Sequence, residues 1–400
     1  MKRPALTTLS VAALSVGLAF GLTACGDSKD DGETVKADSS VEFTGTPIKV
    51  MTIAPVDTAA INTPEIITAA EAATTTLNNA GGINGSKVEL ISCNDGNDPN
   101  TAGDCARKAV SEKVAAVVGG FTTNGTAIVP VLEKAGIPWI GGPGLAAEEL
   151  SSSNSFPLVA GAAGFVAIGA RTVADDCDST AMVLYDVPTA QKAADLINLG
   201  IGGAKGQPAK HIKVPTTTTN FSAVAKSAGE SDCAIVGLPN DQIAALAAAG
   251  AAQNEDTRYY SVQGALNQAV LEGANGAMDK AVSAVNFVVA SDPAWDEAKK
   301  ASSEIDWTYP YVQNTWAAYQ VLKEAIGTEK DATAATLLAS LNKADAITAG
   351  GLTAPIDFTK EFPVPGLNRV FNPNLQFVQA NGTEIESISE FSDITALFAG

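Results

Sequence analysis

The stretch Ala116–Pro130, AVVGGFTTNGTAIVP, starts as a buried strand and ends as a helix. Between them lie three glycines and a group of hydroxyl and amide side chains without charge, in a chain with 44 acidic residues. The first amides of a helix lack partners and carry the positive end of its dipole. The turn therefore predicts an anion cradle of neutral donors, with Gly120 and Gly125 allowing close approach. The alternative is simple N-capping by Thr123 or Asn124.

Short apolar strands alternate with helices on both sides of this stretch, which favours parallel sheets covered on both faces. The Ser- and Gly-rich segment Ser151–Ala163 separates two such series and predicts two similar α/β lobes. Ligands of open parallel sheets bind at the carboxyl ends of the strands, so two facing sheet edges predict a cleft. The predicted strands are Ile48–Ala54, Val88–Ser92, Ala115–Val118 and Ile137–Ile140, then Ala181–Tyr185, Ile212–Val214, Ala234–Leu238 and Tyr259–Val262.

Composition limits the function classes. The chain has 400 residues, of which 46% are hydrophobic and 17% charged, as in a globular protein of more than one domain. Its net charge is −19. Binding to a phosphate backbone needs clustered Lys and Arg, and their absence excludes a nucleic-acid partner.

The N-terminus has the order of a secretory signal. A basic start precedes an apolar run, Ala5–Gly21, that is short for a membrane span of about 20 residues. LTAC follows at positions 22–25 and resembles the bacterial lipobox, which implies a signal peptide over 1–24 and a lipid on Cys25. Residues 25–45 are predicted to form a flexible tether. The protein is then exported and anchored to the outer face of the cytoplasmic membrane; the alternative is an ordinary signal with a chance cysteine.

Four further cysteines lie in the body of the chain. Cys177 and Cys233 each precede an apolar strand, and neighbouring parallel strands would bring these starts together. Cys93 and Cys105 would then join a strand end to the next helix. Export permits disulfides, but an even number does not fix connectivity, and free buried thiols are the alternative.

Enzymatic chemistry is poorly represented. The chain has one histidine, His211, too few for a zinc site or a conventional hydrolytic triad. The acidic loop at 94–99 lacks the spacing of a calcium-binding EF-hand. The pair Glu148 and Glu149 is predicted to be solvated surface charge. We therefore expect no catalytic residues, no metal and no cofactor.

Several segments in order resemble the leucine/branched-chain amino-acid-binding family of ABC-transporter solute receptors. They are the stretch 69–120, which contains NNAGGING, NDGNDP and VAAVVGG, then EKAGIPWIGG at 133–142, NFSAVAKSAGESDCAIVGL at 220–238 and YPYVQNTWAAYQVLKEAI at 309–326. The resemblance implies an α/β type I periplasmic-binding fold: two doubly wound lobes joined by a three-strand hinge and closing on a solute. The implied N-terminal lobe is 46–158 plus 288–350, and the C-terminal lobe is 159–287 plus 351–400.

The resemblance also implies site residues. A ligand carboxylate would be held by Thr122, Thr123 and amides near Asn124, with backbone at Gly142 and Gly144. The candidate ligand-binding residues are Phe121, Thr122, Thr123, Asn124, Gly142, Gly144, Leu145, Ala190, Asn240 and Gln263.

The positions that hold the ammonium group of the ligand in that family carry different residue types in this chain. Leu145 replaces a small hydroxyl residue, Ala190 a tyrosine and Gln263 an acidic residue, and no aromatic residue lies near Asn240. A buried cation without a carboxylate or aromatic partner is costly. The predicted solute is therefore a carboxylate, or another polar acceptor, that lacks an α-amino group.

The resemblance implies an extracytoplasmic solute-binding lipoprotein that hands a small organic solute to the permease and ATPase of an ABC importer. A lipid-anchored sensor for a membrane receptor and a true branched-chain amino-acid binder are the alternatives.

Overall fold

The structure is a computed structural model that describes residues 34–58, 61–262, 265–329 and 331–398. The predicted signal peptide, the lipidation site Cys25 and the candidate Gln263 lie outside these residues. No helix in the described part of the chain is long and apolar enough to cross a membrane.

The predicted strands are all present and alternate with helices, and the chain beyond residue 262 adds further elements. The strands are β1 Ile48–Ala54, β2 Val88–Asn94, β3 Ala116–Val118, β4 Trp139–Ile140, β5 Ser155–Phe156, β6 Thr180–Tyr185, β7 Lys210–Val214, β8 Cys233–Gly237, β9 Arg258–Val262, β10 Val282–Val285, β11 Asn374–Asn381, β12 Glu384–Ser387 and β13 Ser392–Asp393. The helices are α1 Pro64–Asn79, α2 Pro99–Glu112, α3 Gly125–Ala135, α4 Gly164–Ala174, α5 Pro188–Gly203, α6 Ser222–Ala228, α7 Asn240–Ala251, α8 Gln268–Ala274, α9 Asp296–Ala301, α10 Pro310–Ile326 and α11 Ala334–Leu341.

The first sheet is parallel throughout, in the order β2-β1-β3-β4-β5. Its interior strand β1 is apolar on both faces, as a doubly covered parallel strand should be. Val50 and Ala54 join the core that contains α1 and α10. Met51 and Ile53 face the opposite core, which contains α2 and α3.

The second sheet has the order β12-β11-β10-β9-β8-β6-β7, with β13 also paired to β11. The strands from β7 to β10 are parallel, and β11 and β12 add an antiparallel edge. The sequence therefore folds into two α/β lobes, as predicted.

Both predicted disulfides are confirmed. Strand β6 runs beside β8, with Thr180 opposite Cys233, so the two strand starts are adjacent. Cys177 and Cys233 form a bridge with a Cα–Cα distance of 5.9 Å. Cys93 and Cys105 form the second, at 5.8 Å.

Three connections join the lobes, and two buried asparagines hold them together. The amide side chain of Asn286 accepts from the backbone of Ala160 at 2.9 Å and donates to the carbonyl oxygens of Asn372 and Asn374 at 3.1 and 2.9 Å. Asn372 in turn donates to the carbonyl of Leu158 at 2.9 Å. Both asparagines are fully buried, so every crossover is tied to another at the predicted three-strand hinge.

The described part of the predicted tether, residues 34–45, makes hydrogen bonds to the rest of the protein. The backbone amide of Val35 donates to Ala301 at 2.7 Å, and that of Asp38 donates to the side chain of Asn79 at 2.8 Å. The polar composition of this segment predicted nothing to bury. Its backbone, however, finds hydrogen-bond partners at the end of α1 and beside α9.

Candidate functional site

A cleft of about 480 Å³ lies at the carboxyl ends of the strands of both sheets. This is the position that parallel-sheet topology predicts. The first lobe contributes loop residues after β1 and β3 and the start of α10. The second contributes the ends of β6 and β8 and the loop after β9. The lining residues are Ile61, Asn62, Thr63, Phe121, Tyr185, Val236, Gly237, Leu238, Pro239, Asn240, Asp241, Ala265, Tyr309 and Tyr311.

Aromatic rings dominate the cleft. Phe121 and Tyr311 have ring centroids 4.4 Å apart, and Tyr309 meets Tyr311 edge-on at 5.6 Å. The two tyrosines flank Pro310 at the start of α10, where proline suits the first helical position. Tyr185, at the end of β6, lines the cleft from the other lobe. Burial raises the pKa of Tyr311 to about 12, so its hydroxyl is neutral at physiological pH.

The glycines of the β3–α3 turn serve internal packing. Gly119 and Gly120 have φ values of 61° and 92°, a region that favours glycine. A side chain at Gly120 would collide with the carbonyl of Ile53, and one at Gly119 would collide with Thr315 of α10. The predicted close approach is therefore to the protein's own backbone.

The polar residues of the same turn also have internal roles. The hydroxyl of Thr122 donates to Asp95, and both residues are fully buried. It also accepts from the backbone amide of Asn124 at 2.9 Å. Thr123 is exposed and lies outside the cleft lining. The amide nitrogen of the Asn124 side chain is buried without a partner among the described residues. Asn124 is the N-cap residue of α3, but its side chain makes no capping hydrogen bond.

Glu149 is fully buried, and the prediction that it is solvated is wrong. Its Oε2 accepts from the backbone amides of Gly144 and Leu145 at 2.7 and 3.3 Å. Its Oε1 lies against Gly125, the first residue of α3, where an added side chain would collide with it. Burial raises the pKa of Glu149 from 4.5 to about 7, although the amide hydrogen bonds oppose this shift. A carboxyl group of the protein itself therefore lies against the start of α3, and its Oε1 has no hydrogen-bond partner among the described residues.

The remaining candidates are divided among several environments. Asn240 lines the cleft at the start of α7. Leu145 lines a separate cavity of about 110 Å³, which Tyr311 also borders. Gly142 is buried against the ring of Trp139, and Ala190 packs against the core of the second lobe. Of the described candidates, the cleft therefore brings together only Phe121 and Asn240.

Three tyrosines and one acidic residue of the cleft were absent from the candidate ligand-binding residues: Tyr185, Tyr309, Tyr311 and Asp241. Tyr185 ends a predicted strand. The rule that ligands bind at the carboxyl ends of parallel strands therefore applies to Tyr185 as it does to Phe121. The sequence indicated no aromatic or acidic partner for a cation at the positions that the family uses, and the structure places such residues in the cleft from elsewhere in the chain. These partners come from a strand end and from α10 instead of the expected positions.

Comparisons with known proteins agree on the fold. A family model described as periplasmic binding protein matches residues 47–384. None of the curated proteins searched matches the chain.

Solved structures of low identity share the architecture. A leucine-binding protein from Thermotoga maritima is 14% identical, with a TM-score of 0.70 over 86% of this chain and 99% of that chain. A solute-binding protein from R. palustris, solved with benzoate, is 17% identical, with a TM-score of 0.69 over 86% and 97%. A fatty-acid transporter binding protein from Thermomonospora curvata is 15% identical, with a TM-score of 0.71 over 88% and 94%.

Proposed function

We infer the function from one premise: the chain belongs to the periplasmic binding protein family. It is a non-enzymatic solute-binding protein of the ABC-transporter type and works outside the cytoplasm. We propose that it captures a small organic solute in the cleft between its lobes. It then delivers the solute to the permease and ATPase of an importer of the branched-chain amino-acid type.

The observation that carries this proposal is the cleft itself. Loops at the carboxyl ends of strands in both sheets line one cavity, so a solute held there contacts both lobes. The lobes are joined by crossovers that Asn286 and Asn372 tie together. A solute that contacts both lobes favours the closed arrangement by its differential affinity, and a permease can recognise that arrangement.

The surroundings of α3 argue against a carboxylate solute held at that helix start. Thr122 is engaged with Asp95, and Glu149 lies against Gly125. A second carboxylate there would meet a like charge or would have to share a proton with it. The rings of the cleft instead favour a solute with a substantial apolar or aromatic surface.

We also propose that Cys25 carries a lipid that anchors the protein to the outer face of the cytoplasmic membrane. The support is the basic start, the short apolar run and the LTAC motif at 22–25. Cys25→Ser should move the protein from the membrane fraction to the soluble fraction and abolish labelling by a fatty-acid analogue. Unchanged membrane retention and labelling in Cys25→Ser would contradict the anchor.

The function is tested by native mass spectrometry of the freshly purified mature protein. We expect a co-purified small molecule that is lost in a cleft variant, Phe121→Ala, and kept in a control, Phe377→Ala, outside the cleft lining. Deletion of the gene should then abolish cellular uptake of that molecule. Normal uptake with loss of a signalling response would support a sensor instead.

A further inference from the structure

We propose that the cleft selects a cationic solute of the ammonium type that lacks a carboxylate, held between the aromatic rings of the two lobes and Asp241. This inference rests on the proposed function and specifies its substrate class.

The rings provide the first argument. Phe121, Tyr309 and Tyr311 form a continuous aromatic surface on one lobe, with centroid distances of 4.4 and 5.6 Å. Tyr185 lines the same cleft from the other lobe. The negative faces of aromatic rings attract cations, and a cage of several rings is the usual means of binding quaternary ammonium groups.

The charges provide the second argument. Asp241 is the one charged side chain among the described lining residues, and it is exposed in the first turn of α7. It forms no ion pair within the described part of the chain. Lys213 lies in a separate depression bordered by Tyr185 and faces Asp186 at 3.6 Å. The described lining therefore offers a negative charge and no positive one.

Acidic groups also lie behind the rings. Glu65 is close enough to Tyr309 to raise the pKa of its hydroxyl, and Glu149 has the same effect on Tyr311, although burial is the larger cause in both. The whole chain carries a net charge of −19. The overall field thus attracts cations to the protein and repels anions.

The same features argue against a zwitterionic amino acid. Its ammonium group would suit the rings and Asp241, but its carboxylate would need a counter-ion or free donors. At the start of α3, the carboxyl group of Glu149 lies against Gly125 and would oppose a second carboxylate, and Thr122 is bonded to Asp95. A desolvated carboxylate without partners is costly. The cleft thus separates an amine from an amino acid by the lack of an anion site.

The test uses three probes of one shape: choline, its uncharged isostere with carbon in place of the ammonium nitrogen, and the carboxylate tert-butylacetate. Each is titrated calorimetrically into the full mature protein in detergent. We expect choline to bind about tenfold more tightly than the isostere, and tert-butylacetate not to bind.

Variants test whether the aromatic rings and Asp241 cause the preference for choline. Tyr311→Leu and Asp241→Asn should each weaken choline binding about fivefold, and Tyr311→Phe, which keeps the ring, should weaken it less. Asp296→Asn is the matched control, because it also removes an exposed acid from the first turn of a helix, α9, outside the cleft. Circular dichroism verifies that each variant is folded.

Equal affinity for choline and its isostere would overturn the inference in favour of apolar fit. Binding of tert-butylacetate would overturn it in favour of a carboxylate. Both results would leave the proposed function intact. If no probe binds, the inference also fails, and the proposed function is judged separately by whether the purified protein carries any solute.

Discussion

Two helix starts border the ligand side of the first lobe, and their roles differ from what their sequences suggest. The turn before α3 is neutral and rich in donors, yet Thr122 bonds to Asp95 and Gly125 packs against Glu149. The start of α10 has Pro310, which lacks an amide hydrogen, and the flanking Tyr309 and Tyr311 line the cleft. Most buried donors are satisfied in the free protein, and here the chain itself supplies partners for the Thr122 hydroxyl and the Gly144 amide, whereas the side-chain nitrogen of Asn124 has none among the described residues. The faces of aromatic rings need no hydrogen-bond partner in the free protein, so they stay available to a solute.

The largest expected effect tests the carboxyl group at α3. Since burial raises the pKa of Glu149 to about 7, its contribution to folding is fully present below pH 4.5 and is lost as pH rises through 7. Glu149→Gln has no such loss. Between pH 4 and pH 8 its free energy of unfolding should gain about 3 kcal/mol relative to the native protein. Urea denaturation across this range measures the difference.

Glu304→Gln, which removes an exposed carboxylate, is the control for that experiment. If both variants follow the native protein in parallel from pH 4 to pH 8, Glu149 is solvated. The contrast between the two helix starts would then disappear.

The second effect is steric. Gly125→Ala forces a side chain against Oε1 of Glu149 and should destabilise the protein by about 2 kcal/mol. Gly164→Ala is the matched control: it also lies at the first position of a helix, α4, but an added side chain there meets nothing within 4 Å. We expect it to be neutral or slightly stabilising. Equal stability of the two variants in thermal unfolding would show that Glu149 does not pack on α3.

The third effect distinguishes a structural role from a ligand-binding role for the two threonines before α3. Thr122→Val removes the hydroxyl that serves Asp95 and the amide of Asn124, and should cost about 1.5 kcal/mol of unfolding free energy. Thr123→Val changes an exposed side chain and should cost less than about 0.5 kcal/mol. Neither should alter affinity for the solute that co-purifies. A large loss of affinity in Thr123→Val at unchanged stability would restore the anion cradle.

The fold was predictable because its signals are local. Val50 to Ala54 are buried on alternate faces of one short strand, and neighbouring strand starts place Cys177 beside Cys233. The site was less predictable because its key contacts depend on tertiary structure. The sequence marks Glu149 as one of two adjacent acids, and its burial follows only from the way the 142–149 segment folds over α3. Tyr309, far along the chain, reaches the cleft because α10 packs against the first sheet.

The smallest effect concerns the start of α10. A substitution there should reduce affinity more than stability, which is the opposite of the result expected for Thr122→Val. Tyr309 is partly exposed, so Tyr309→Leu should cost no more than about 1 kcal/mol of unfolding free energy. It removes one ring of the cage, and affinity for the co-purified solute should fall about fivefold. Tyr309→Phe keeps the ring face and should recover most of that affinity. If Tyr309→Leu instead reduces stability and leaves affinity unchanged, Tyr309 serves the packing of α10 and does not bind the solute. The solute must then lie against other cleft residues.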